Sequence, residues 1–241
     1  MRVLDPEERE WLGSDDDRGA WMIRLWALWA AKETAFKVVS KLVGTADVFR
    51  HRGFVSALEL EDAGCRGVVR IRGRVRGPEV PGEVTVEGSS DGEHVHLVGW
   101  GAPTGAESGG RAPRLEAGLE RGTDEAAELA DYRARFSELE WQGIRTVHGA
   151  EVRLRARARL EAYLGPEDPS GSADRKGAGP SPVEILTSGE RPGRTPPRIR
   201  VRGVDRPDLD LSLSHHGRFV AWALLAPDPL TGAAQGKTST S

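Results

Sequence analysis

From Arg24 to Leu42 the chain runs without Gly or Pro, and its apolar residues recur at helical spacing. Trp21, Met22, Leu25, Leu28, Trp29, Ala35, Phe36 and Val39 fall on one broad face, which predicts a long helix packed on a core. Lys32 lies in the middle of that face, and Glu33 and Lys37 lie side by side at its edge, four residues apart. A buried stripe normally excludes charge, so the Lys-Glu-Lys set marks this helix. Ahead of it, Asp5-Pro6-Glu7-Glu8 is a helix start, with Asp at the cap and Glu three residues later. That short helix is expected to end near Leu12, and Gly13–Asp17 forms a turn before the long helix.

Beyond Val48 the period shortens to two. Phe54–Glu61, Val68–Val75, Glu83–Glu87 and His94–Trp100 read as strands of an antiparallel sheet. In the second of these, Val69, Ile71 and Val75 point one way, and Arg70, Arg72, Arg74 and Arg76 the other. Glu116–Arg135 is polar and helix-prone, Phe136–Thr146 has no clear period, and Glu151–Leu164 reads as a second helix. Ile199 and Val201 mark a further strand. Leu209, Leu211 and Leu213 alternate with Asp210, Ser212 and Ser214; His215-His216-Gly217 is expected to turn the chain into an apolar strand, Phe219–Leu225. No internal repeat is apparent. Residues 1–226 are expected to form one α+β domain with loops at about 101–114 and 165–182, and residues 227–241 a disordered tail.

Composition narrows the classes. The 241 residues include 30 Gly and 15 Pro, which fits long loops rather than a helical bundle. A net charge of −3 carries no global nucleic-acid signature. The single Cys, Cys65, excludes an intrachain disulfide framework and fits a cytoplasmic protein. No apolar run has the length of a membrane span, and the N-terminus does not read as a signal peptide.

Two stretches carry candidate chemistry. In the first, Glu33 offers a carboxylate, and Lys32 and Lys37 offer point charges for a phosphorylated ligand. In the second, Ser212, Ser214 and His215 offer donors to an anion at a sheet's end. His94 and His96 share a strand face, but no third metal ligand accompanies them. Phosphate-loop and dinucleotide fingerprints are absent.

Together, Trp29-x-x-Lys32-Glu33-x-x-x-Lys37 and the distant Leu211-Ser-Leu-Ser-His215 resemble the 4'-phosphopantetheinyl transferase superfamily, in the motif order of its holo-acyl-carrier-protein synthase branch. Val3–Leu12 is similar to the helix ahead of the Lys-Glu helix in that family. The resemblance implies an α+β fold with the long helix on an antiparallel sheet, and extra strands and loops inserted between the motifs. It implies magnesium-dependent transfer of the phosphopantetheine arm of coenzyme A to a serine of an apo acyl or peptidyl carrier protein, releasing adenosine 3',5'-bisphosphate. Glu33 would hold the metal and act in catalysis with Lys37. Lys32, Lys37, Ser212, Ser214 and His215 would bind coenzyme A phosphates. Two departures stand out. Family members usually carry an Asp-bearing strand ahead of the Lys-Glu helix, and the residues before Asp5 leave no room for one. Thr34 also replaces the usual small Ala. An alternative class is a non-catalytic protein that holds an acidic protein or nucleic acid on its arginine-bearing strands.

Overall fold

The computed structural model describes residues 4–14, 16–43, 53–64, 67–77, 82–101, 114–123, 127–165, 181–187 and 196–227. The fold is α+β with antiparallel sheets. Where residues 1–226 are expected to form one domain, two compact units emerge, Met1–Glu107 and Ser108–Ser241. The expected loops and tail fall almost wholly outside the described residues.

Unit 1 contains α1 (Pro6–Leu12), α2 (Arg18–Val43) and β1 (Val55–Asp62), β2 (Val69–Arg76), β3 (Glu83–Ser90) and β4 (Val95–Trp100). The strands form one antiparallel sheet in sequence order. As expected, α2 buries Leu28, Ala35 and Val39, together with Ala27 and Ala31, against Leu58, Ile71, Val75, Val84 and Val86 of the sheet. Gly99 brings β4 close beneath the helix: a Cβ there would meet Thr34 Cγ2 at 2.6 Å. On the sheet's other face, the arginines of β2 are exposed as their alternation requires. They are not a purely cationic row. Arg72 stands between Glu59 and Glu87 in register, Arg70 opposes Glu61, and Arg74 Nη1 lies 3.1 Å from Glu83 Oε2. Such cross-strand pairing offsets much of the field an acidic partner would need.

Unit 2 contains β5 (Arg114–Arg121), a 3₁₀ segment (Leu129–Arg135), α3 (Glu138–Trp141), α4 (Val147–Leu164), β6 (Val183–Leu186), β7 (Arg198–Val201), β8 (Val204–Asp205), β9 (Asp210–His216) and β10 (Phe219–Ala226). Its strands pair as β5-β10-β9 and β6-β7-β8. The strand β5 corrects the helical expectation over Glu116–Arg121, while Leu129–Arg135 of the same stretch is helical, as 3₁₀ turns. On β5 the α4-facing positions are Glu116, Gly118 and Glu120, and the two acids pair with Arg159 and Arg155. Leu115, Ala117 and Leu119 alternate with Glu116, Gly118 and Glu120, but it is the charged set, not the apolar one, that faces the covering helix. Gly118 leaves room for the Trp222 indole, where a Cβ would meet Nε1 and Cε2 at 2.7 Å. Gly118→Ala is expected to destabilise unit 2 by about 1–3 kcal/mol through overpacking, measurable by urea denaturation.

The units repeat one plan, contrary to the reading of the sequence as free of repeats. In each, a short helix opens with a capping box, Asp5 with Glu8 and Ser137 with Glu140. Both N3 glutamates are buried, at 1% and 2% exposure, rather than solvated. Glu8 Oε2 accepts the Asp5 N–H at 2.8 Å, and Glu140 Oε2 the Ser137 N–H at 3.1 Å. Each Oε1 accepts a strand N–H at 2.8 Å, from Ser56 at β1 and Ile185 at β6. Each glutamate also meets a buried cation from the long helix. Lys32 Nζ lies 2.7 Å from Glu8, and Arg157 Nη2 lies 2.6 Å from Glu140. The cation then reaches a backbone carbonyl, Phe54 O at 2.5 Å for Lys32 and Arg135 O at 2.8 Å for Arg157. After the long helix, unit 1 has four strands, β1 to β4, and unit 2 has five, β6 to β10, with the last two of each paired as a hairpin. Only generic residue types recur at these positions, which hides the repeat from the sequence.

On the outer face of β4, burial holds His96 below its ordinary value of 6.5, and His94 pushes it the same way. A histidine that resists protonation when folded leaves the unfolded chain binding more protons as pH falls below 6.5. Unit 1 is therefore expected to lose stability on acidification from that pH, and His96→Gln to flatten the loss in urea titrations.

Candidate functional site

In unit 1 the candidate chemistry rests on α2. Its first turn accepts capping from Asp17, whose Oδ1 takes the N–H groups of Gly19 and Ala20 at 3.0 and 3.1 Å. Lys32 faces inward, as its place on the apolar stripe requires, and does not snorkel to solvent. It is 1% exposed and engaged by Glu8 and Phe54 O. A buried ammonium held this way is part of the core, so Lys32 is far less suited to coenzyme A phosphates than the sequence implies.

Glu33 and Lys37 stay together on the half-buried flank of α2, with Trp26 exposed on the same side. Burial lowers Lys37 below its usual value of 10.5; Glu33, one turn earlier, opposes this, and Lys41, one turn later, adds to it. A partly dehydrated ammonium with one carboxylate neighbour gains from an incoming oxyanion. Glu33 is a single carboxylate. Among the described residues no group of three or more His, Cys, Asp or Glu side chains is placed to hold a metal ion. Magnesium commonly takes one or two carboxylates and completes its shell with water and substrate phosphate, so the donor set fits that ion with substrate oxygens. His94 Nδ1 stands 2.8 Å from Asp91 Oδ1, which also accepts the Glu93 and His94 N–H groups.

In unit 2, β9 pairs with β10 so that Ser212 opposes Ala223, Ser214 opposes Ala221 and His215 opposes Val220. Leu211 and Leu213 face α4 with Val220, Trp222 and Leu224, so His215 points to the α4 side. Ser212 and Ser214 lie on the opposite face. The three candidate donors therefore do not share a face. The turn is also later than expected: β9 continues through His216, and Gly217, at φ 52°, and Arg218 make the reversal.

The structure adds residues that the sequence reading missed. The ring of His148, at the second position of α4, stacks on His215 with centroids 6.3 Å apart and planes at 30°. One turn on, Glu151 is 5% exposed, and its Oε1 accepts the Thr123 N–H at 2.9 Å, the Thr123 hydroxyl, and the Tyr132 hydroxyl at 3.2 Å. The missed signal was the cap. Thr146 Oγ1 accepts the Gly149 N–H at 3.0 Å and starts α4 at Val147, but no acid stands three residues after Thr146 to advertise it.

No family model matches the chain, and no curated protein matches it. Among the described residues, no helix is long and apolar enough to cross a membrane.

Proposed function

We propose that this chain is a phosphopantetheinyl transferase of the holo-acyl-carrier-protein synthase type, moving the phosphopantetheine arm of coenzyme A to a serine of an apo acyl or peptidyl carrier protein. The observation that carries the reading is the sorting of charge on α2. Lys32 is drawn into the core by Glu8, while Glu33 and Lys37 remain neighbours one turn apart on a half-buried flank where Lys37 is already short of solvation. That flank suits a substrate bringing phosphate oxygens. The α+β architecture, with the long helix laid on an antiparallel sheet, supports the same reading.

In this mechanism the carrier serine oxygen attacks the phosphorus bearing the pantetheine arm. The new P–O bond forms as the bond to the departing adenosine 3',5'-bisphosphate breaks, and the serine proton passes to solvent water. Such transfers depend chiefly on in-line placement and neutralisation of charge. A magnesium ion held by Glu33 would supply charge neutralisation on the phosphate oxygens. Lys37 holds a phosphate oxygen as a point charge, and Glu33 orients that ammonium.

The test is direct. Wild-type protein incubated with coenzyme A, magnesium and an apo carrier protein is expected to add one phosphopantetheine mass to the carrier. Absence of that gain with several carriers would overturn the reading. The alternative, binding through the arginines of β2, is disfavoured by their in-register acids.

A further inference from the structure

Arg153 of α4 is a buried cation without a carboxylate of its own. It is 7% exposed, and its guanidinium meets only neutral oxygens. Nη1 donates to Gly149 O at 2.8 Å, and Nη2 donates to Gly143 O and to Thr187 Oγ1, both at 3.3 Å. Nε is buried and has no partner. Among the described residues Arg153 forms no ion pair. Burial pulls it below its ordinary pKa, and Glu140 opposes that shift from a distance. Glu140 itself is already engaged by Arg157 Nη2 and by the N–H groups of Ile185 and Ser137. Glu151, also buried, is held by Thr123 and Tyr132. The internal repeat shows that the fold does not require a charge here. Arg153 stands four residues before the lock cation Arg157, as Leu28 stands four before Lys32, and Leu28 is core. A guanidinium where unit 1 places leucine is unfavourable unless an anion meets it.

We propose that Arg153 and Thr187 form a binding site for a small oxyanion in unit 2. The inference stands apart from the transferase reading, which rests on α2 of unit 1. Both Nη2 bonds are long and end on neutral oxygens. A charged oxygen draws guanidinium N–H groups to about 2.7–2.9 Å and makes bonds roughly twice as strong. An entering oxyanion therefore displaces Thr187 Oγ1 from Nη2. The freed hydroxyl then turns its own proton to the anion, since it can donate as well as accept. Thr187, the half-buried residue after β6, is the side from which the anion enters. Gly149 O stays on Nη1, so the guanidinium remains braced against the first turn of α4. The planar fork matches carboxylate and phosphate oxygens alike.

Sulfate and acetate are the probes, titrated into the full chain by calorimetry at constant ionic strength. Sulfate is expected to fill one saturable site, and its affinity to fall at least about tenfold in Arg153→Gln, which keeps an N–H donor but carries no charge. Arg153→Lys restores the charge without the fork and is expected to recover part of the binding, a rescue that a merely structural role would not produce. Thr187→Val is expected to weaken sulfate several-fold, and it carries the test if Arg153→Gln does not fold. Acetate binding more tightly than sulfate identifies a carboxylate ligand, and the reverse order a phosphate-like one. Lys37→Met is expected to leave the site intact, which separates it from the flank of α2. Absence of saturable binding by both anions, or undiminished binding in Arg153→Gln or in Thr187→Val, overturns the site. Failure of carrier modification with sulfate binding intact would instead count against the transferase reading alone.

Discussion

Replacing Glu8 with alanine is expected to lower the stability of unit 1 by about 3–5 kcal/mol, because it strands a buried ammonium. Lys32 would lose the carboxylate oxygen 2.7 Å from its Nζ and keep the neutral carbonyl of Phe54. The usual escape, exchanging a buried ion pair for apolar residues at little loss, is partly closed here. Glu8 also accepts backbone N–H groups from Asp5 and Ser56, which an apolar side chain would leave buried without partners. The double variant Glu8→Leu with Lys32→Met is therefore expected to recover part of the loss in urea denaturation but to stay below wild type. Full recovery would show that charge balance alone sets the requirement. Glu140→Ala is the matched experiment in unit 2, where Arg157 would be stranded over Phe136 at 4.8 Å.

Glu33→Gln is expected to reduce phosphopantetheine transfer by at least about a hundredfold while leaving the fold intact. The side chain is half-buried and outside the core cluster, so its removal acts on the substrate's phosphates rather than on packing. Lys37→Met separates function from stability in the opposite sense. Lys37 is held below its usual value of 10.5 by burial, so the folded chain prefers to shed that proton and the charged form is destabilising at neutral pH. The unfolded chain binds more protons below 10.5, and stability rises as pH climbs toward that value. Lys37→Met is thus expected to stabilise unit 1 at pH 7, with a gain that shrinks as pH approaches 10.5, while transfer falls. Unchanged transfer in both variants would remove Glu33 and Lys37 from the mechanism.

The elements that could be read in advance were those whose inward face is apolar. Leu28, Ala35 and Val39 placed α2, and Ile71 and Val75 placed β2 with its outward arginines, because a single period governs each. Where a polar group faces inward, the same rule misled. β5 meets α4 through Glu116 and Glu120, opposite its apolar set Leu115, Ala117 and Leu119, and the N-terminal turn of α4 presents His148 and Glu151, so in neither does an apolar face mark the packed side. Lys32 illustrates the limit for the candidate site. Its position on the buried stripe was legible, but the acid that neutralises it lies 24 residues earlier, on another helix, and no local spacing reveals such a partner. The opposite orientations of Ser214 and His215 were legible from strand alternation; the stacking of His215 on a helix far upstream was not.

A chain carrying two renditions of one architecture faces a hazard during synthesis. Its first half is complete on the ribosome before the second emerges, and look-alike hairpins can pair with the wrong neighbour, the characteristic failure of tandem arrays. Here the two units differ in their buried ion pairs and in their sheets. One locks its helix with an ammonium and the other with a guanidinium, one builds a continuous four-stranded sheet, and the other splits its strands into two groups of three. A lysine cannot reproduce the forked contacts of an arginine. An ammonium from one long helix would therefore leave the carboxylate of the other unit's lock incompletely bonded.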